Sequence, residues 1–343
     1  MLSVERSEIP DLSGETARPD LSGKSRNAGL NVERSEIPTF GVERSEIPDL
    51  SGETAHPDLL GKSRYAVKRV ILFSLIIVAF SFSNCSEGGI NLFSDQDEVN
   101  LGAQVDSEIR SNPAEFPIYS GDPYVRNYIS SNIFIPILNS SEVKKRGIYN
   151  YNLELIKNDT TLNAFATPGG YVYVYTGLLK YLDTEAALAG VVGHEIAHAE
   201  RRHATQRITA YYGISILVSL ILGENPSQLV ELVANLFTGL AFLANSRANE
   251  DESDDYSIRY LKSTKYYPGG VKFFFEKMRD DGLVSSKSSQ ILTFLSTHPD
   301  PVERIKSADG RLTSQGIKVI TWTSNDPDVF RGSYTTNIKN RLR

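Results

Sequence analysis

The chain has 343 residues, of which 40% are hydrophobic and 23% charged, and a formal net charge of -6. These proportions suit one large globular domain or two modest ones, and the acidic balance argues against nucleic acid as a partner. A single cysteine, Cys85, excludes an intrachain disulfide.

Residues 4–26 and 42–64 are near-identical copies, differing only in Arg18 against His56 and Ser22 against Leu60, and a third fragment, VERSEIP, starts at Val32. The copies are rich in Ser, Glu, Asp, Pro and Gly and show no sustained helix or strand period. Such a unit cannot bury a core, so residues 1–64 are expected to be disordered. Residues 67–84 then have the form of a signal peptide. Lys68 and Arg69 precede an apolar run over 70–82, which is shorter than the roughly 20 residues that span a bilayer. The run ends in Phe82-Ser83-Asn84-Cys85, similar to a bacterial lipobox, in which the cysteine becomes the lipidated first residue of the mature chain. Residues 85–94 would form a tether. A signal peptide does not act behind 64 other residues, so the expected start lies downstream of Met1.

From Asp95 onward the pattern is globular. Helices are expected over 95–111 and 122–138, and a strand over 151–157. Tyr171–Tyr175 alternates β-branched and aromatic residues behind Pro168-Gly169-Gly170 and reads as the clearest strand. Asp183 or Thr184 caps a helix that runs through Glu200 and beyond. The apolar stretch 214–222 reads as a buried helix, with a membrane-facing helix as the alternative, and further helices are expected over 228–261 and 270–279. A strand is expected at 317–322.

GHEIAH, from Gly193 to His198, contains the HExxH pattern. On a helix, His194 and His198 share one face and a cation. Glu195 lies about 100° around, where it reaches a water on that cation. Leu188, Val192 and Ile196 form a core stripe on the other side. A catalytic zinc takes three protein ligands and keeps an open position. His203, Glu250, Glu252 and His298 are the later candidates. On an uninterrupted helix His203 lies about 140° from His198, which turns it away from the metal. Glu250 has Asp254 one turn on, where an acid can hold the outer N–H of a ligating histidine.

Four ordered segments carry a family resemblance. They are Asn163-Ala-Phe-Ala-Thr-Pro-Gly-Gly170 with YVYVYTGLL, then VVGHEIAHAERRHA, then Ser246-Arg247 with Glu250 and Asp254, and finally Ser296-Thr-His-Pro-Asp-Pro301 with Arg304. Over residues 95–307 the chain resembles the zinc metallopeptidases that include the CAAX prenyl protease, the HtpX heat-shock protease, and the Oma-type and BepA-type proteases. The resemblance implies an α+β, mostly helical, zincin-like domain over 95–343, with a small sheet whose edge strand borders the active site. It implies one zinc on His194, His198 and Glu250, Glu195 as general base and Asp254 behind the ligands. It also brings His298 and Arg304 to the site, His298 either blocking the zinc or steadying an oxyanion. A substrate peptide would pair with the strand segment marked by Asn163, Ala164, Gly170, Tyr171 and Tyr173. Ser253 stands where the family has Ala, and neither a tetratricopeptide tail nor a multi-span membrane region is present. The function expected is a lipid-anchored endopeptidase of the bacterial envelope, facing the periplasm or exterior and acting on unfolded or membrane-associated proteins. The alternative is a chaperone-like lipoprotein with a gated metal site.

Overall fold

The computed structural model describes residues 90–213, 245–285 and 294–342. The repeats, the signal-like run with Cys85, most of the tether, the apolar stretch 214–222 and the first part of the helix expected over 228–261 lie outside the described residues.

Helix α1, Asp95–Ser111, opens with a capping box: Ser94 Oγ accepts from the Asp97 N–H, and the Asp97 carboxylate accepts from the Ser94 N–H. Leu101, Val105 and Ile109 bury one stripe of it. Gly102 lets α1 lie against the next turn, because a Cβ there would sit 2.0 Å from the Pro168 carbonyl oxygen. Helix α2 begins at Pro123 behind the Asp122 cap. It runs as Pro123–Ile129, passes through a π-helical turn at Ser130–Phe134 and finishes as Ile135–Leu138. Pro136 has no N–H to give, and the wide turn before it accommodates that loss.

Strands β1 (Asn152–Ile156), β2 (Ala164–Ala166) and β3 (Tyr171–Tyr175) form a sheet in the order β1-β3-β2. β1 runs parallel to β3 and β2 antiparallel. The alternation of β3 serves two cores: Val172 and Val174 join the main one, while Tyr173 and Tyr175 pack with Phe165 and the apolar stripe of α1. Gly169 and Gly170 turn the chain between β2 and β3 at φ of 73° and 95°, a region that side chains with a Cβ rarely adopt.

This order corrects the expected docking strand. Tyr171 and Tyr173 lie on the central strand, whose two edges are already bonded to β1 and β2, so no peptide can add there. The Thr167 N–H donates to Tyr171 O and the Tyr175 N–H to Asn163 O. The alternation of an antiparallel pair therefore turns the main chain of Ala164 and Ala166 away from β3. The β2 edge is the one beside the metal centre.

Helix α3, Thr176–Tyr181, leads to α4, Glu185–Glu200, whose cap Thr184 accepts from the Ala187 N–H. Every residue of α4 is buried, so its chemical face is as enclosed as its core face. Helices α6 (Arg247–Leu261) and α7 (Gly270–Asp280) pack against it together with β2. A Cβ on Gly190 would meet Val271 N at 2.0 Å, so α4 and α7 touch backbone to backbone.

Three expected elements differ. The HExxH helix does not run on. It stops at Glu200, Arg202 takes a left-handed conformation at φ 64°, and α5, His203–Tyr212, starts in a new direction. The helix expected to run unbroken over 228–261 has a start at Arg247, where Ser246 accepts from the Asn249 N–H. Residues 317–322 form no strand, because side chains take their backbone groups. Tyr267 Oη donates to Lys318 O and accepts from the Ile320 N–H, and Glu276 accepts from the Trp322 N–H. Helices α8, Pro301–Ser314, and α9, Arg331–Asn337, complete the described fold. Among the described residues no helix is long and apolar enough to cross a membrane.

Candidate metal centre

α4 offers His194 and His198 on one face, and α6 lies across it and brings Glu250. His298 arrives from the segment between 294 and α8. The chain is helical to Thr297, bends at His298, and reaches Pro301 as the first residue of α8, so the loop is shorter than the 296–301 expected. The His298 ring stacks on Phe294, with centroids 4.9 Å apart. One ligand atom from each of His194, His198, Glu250 and His298 lies within 4.8 Å of the others, and all four side chains are buried.

The distances suit a single small cation. His194 Nε2 and His198 Nε2 are 2.9 Å apart, and the Glu250 carboxylate lies 3.4 Å from the first and 3.2 Å from the second. His298 Nδ1 is 3.0 Å from Glu250 and 3.4 Å from His194 Nε2. Tetrahedral zinc with bonds of about 2.0–2.2 Å sets its ligand atoms roughly 3.4 Å apart. Imidazole nitrogens with one carboxylate are also its usual donors, so the residues present fit zinc.

The outer nitrogens are held too. His194 Nδ1 lies 2.9 Å from Asp254 Oδ1, and Arg304 clamps the same carboxylate through Nε and Nη2, each at 2.7 Å. Arg304 Nη1 reaches Glu250 at 2.6 Å. Burial alone would raise the Asp254 carboxyl, but the Arg304 charge and the bonds to Arg304 and His194 hold it below its ordinary range. Glu195 ligates nothing in this arrangement. It sits 3.7 Å from His298 Nε2, and burial pushes its carboxyl up, as suits a group that takes a proton.

His203 differs from the helical expectation. The break at Arg202 swings it back, so that its Nδ1 lies 2.8 Å from His198 Nδ1 and its Nε2 lies 2.9 Å from Glu252. If His198 keeps Nε2 for a metal, its Nδ1–H donates to His203, and His203 carries its own proton on Nε2 toward Glu252. Glu252, also held by Arg201 at 2.7 Å, therefore faces away from the ligand cluster. No local pattern announces this turn: Arg202 is held by Glu98 at 2.9 Å and by the Phe93 carbonyl, both about a hundred residues earlier in the chain.

A small cavity lies beside the cluster, lined by Phe165, Ala166, Glu195, His198, Arg207 and Asn245 among others. The β2 edge forms one wall. Asn163 lies at its start, with Oδ1 bonded to the Ala164 N–H. Gly170 stays in the turn, and Tyr173 Oη donates to Asp106 behind the sheet.

An HExxH helix crossed by a second helix bearing a glutamate, beside a small sheet, defines a zinc metallopeptidase. The profile of Peptidase family M48 matches residues 127–312, more than half of the chain and every residue of the cluster, and the chain belongs to that family. It is 31% identical to the beta-barrel assembly-enhancing protease of Escherichia coli K12 over 232 residues, 65% of this chain and 45% of that protein. It is 34% identical to the mitochondrial metalloendopeptidase OMA1 of Arabidopsis thaliana over 152 residues, 44% of this chain and 30% of that protein. The metalloprotease LoiP of E. coli is 26% identical over 70% of this chain and 87% of its own length. The chain thus spans about half the length of the first of these relatives.

Proposed function

We propose that this chain is an endopeptidase of the bacterial envelope, acting on unfolded or membrane-associated proteins. The observation that carries the reading is the convergence of His194, His198 and Glu250 within reach of one cation, with Glu195 beside them and unligated. Those three residues would hold zinc. Zinc bound there supplies Lewis acidity toward water and toward the scissile carbonyl. Glu195 takes the proton of the attacking water and hands it to the leaving amine. Asp254, fixed by Arg304, keeps His194 in the tautomer that ligates through Nε2. The substrate lies extended along the outer edge of β2, taking main-chain hydrogen bonds at the Ala164 carbonyl and at Ala166.

His298 Nδ1 lies among the ligand atoms, which supports a resting state restrained by this histidine, and release of the 294–300 segment would open the position. The signal-like run before Cys85 supports a lipid anchor, and the E. coli relative named for β-barrel assembly supports an envelope location.

The test is cleavage of β-casein, an unfolded protein, by the purified full chain. Cleavage that stops with a chelator and returns with zinc is the expected result, and a higher basal rate is expected for His298→Ala. Cleavage indifferent to chelation overturns the metallopeptidase reading, and an unchanged or lower rate in His298→Ala overturns the restraint.

A further inference from the structure

Among the described residues six buried side-chain polar atoms have no hydrogen-bond partner, and two of them belong to residues lining the cavity beside Glu195 and His198. One is Arg207 Nη1, on α5, and the other is Asn245 Oδ1, just before α6. Leaving such an atom dry and unbonded costs about 1–3 kcal/mol, so two in one cleft need an explanation.

The orientation of Asn245 is fixed. Its side-chain NH2 and its backbone N–H both donate to Thr297 O, each at 3.1 Å, which leaves Oδ1 as a spare acceptor. Arg207 forms no ion pair among the described residues. It feels Glu250 and Glu195 only at longer range. Phe165 and Ala166 of the β2 edge line the same cavity.

We propose that Arg207 and Asn245 form a main-chain clamp for the peptide substrate, Arg207 donating to a backbone C=O and Asn245 Oδ1 accepting a backbone N–H next to the scissile bond. The clamp rests on the peptidase reading and sharpens it. One spare donor with one spare acceptor is the complement of an amide. A substrate carboxylate would satisfy Arg207 alone and bring a third negative charge toward Glu195 and Glu250. Held between the β2 edge and this pair, the substrate is gripped by groups every peptide has, so the site reads extension rather than sequence. That matches unfolded chains as substrates.

The experiment has two arms. In the first, fluorescein-labelled β-casein is titrated onto the full chain carrying Glu195→Gln, followed by anisotropy. Adding Arg207→Gln or Asn245→Leu weakens binding about tenfold each, the size of one hydrogen bond, while Arg207→Lys, which keeps a charged donor, loses less. In the second, a synthetic peptide spanning a mapped β-casein cleavage site is made with an ester in place of each amide flanking the scissile bond. One ester lowers kcat/KM of the otherwise unaltered enzyme about tenfold, and the Asn245→Leu enzyme does not distinguish that ester from the amide. The second arm needs no folded Arg207 variant. Weakened binding without any cleavage leaves the clamp standing and sinks the peptidase reading. Cleavage with no ester effect and unchanged affinities does the reverse. An Arg207→Gln effect confined to peptides bearing Asp or Glu overturns the backbone clamp in favour of a carboxylate pocket.

Discussion

His198 is held from behind as firmly as from the front. Its Nδ1 meets His203, which meets Glu252, and that chain fixes which ring nitrogen faces the cation. His194 has the matching support in Asp254 and Arg304. These contacts predict an order of zinc affinities, measured by chelator competition. Glu250→Ala removes a ligand and loses the most. His203→Phe removes only an outer support and loses about 10–100-fold. Glu252→Ala loses less, because it touches the site only through His203. Equal losses for Glu250→Ala and Glu252→Ala would mean that the wrong carboxylate is assigned. The HExxH spacing made His194, Glu195 and His198 legible, since the pattern is local. Glu250 was legible through its partner at helical spacing and through the family resemblance. His203 was rightly left out of the ligand set, but its support of His198 was missed, because its direction depends on a left-handed Arg202 held by Glu98 of α1 and by Phe93, two residues before that helix.

At the scale of elements, the site depends on how closely α4 approaches its neighbours. Gly190 faces the backbone of Val271, and Gly270 faces Ala186 O at 1.9 Å from its own absent Cβ. Alanine gains up to about 1 kcal/mol over glycine in an exposed helix. Here the helices must part to admit it, and overpacking costs roughly 1–3 kcal/mol. The clash outweighs the propensity, so Gly190→Ala lowers the urea midpoint. An unchanged or raised midpoint would mean that α4 and α7 are not in backbone contact. The start of α4 was readable because its cap, Thr184, is local, and α1 begins at Asp95 as expected. β3 was found by its alternation, but its central position was not, since order within a sheet is set by pairing between distant segments. The supposed strand at 317–322 failed for a related reason: Tyr267 and Glu276 take the backbone bonds that a neighbouring strand would need.

For the whole molecule, residues 95–342 carry the chemistry, and the run before Cys85 carries the proposed address. A lipoprotein signal predicts a mature chain that begins with an acylated Cys85. Mass spectrometry of the native protein is the check, and a mature N-terminus that retains any VERSEIP copy would refute both the anchor and the downstream start. The packing of α4 leaves His194, Glu195 and His198 all less than a tenth exposed, with the cavity beside them lined in part by β2. The most direct test of the account is Glu195→Gln, read by zinc content and by β-casein turnover in the same preparation. Glu195 stands beside the ligands and not among them, so the account predicts one zinc per chain as before and turnover lowered by about 10²–10⁴-fold. Near-normal turnover at full zinc occupancy would contradict it.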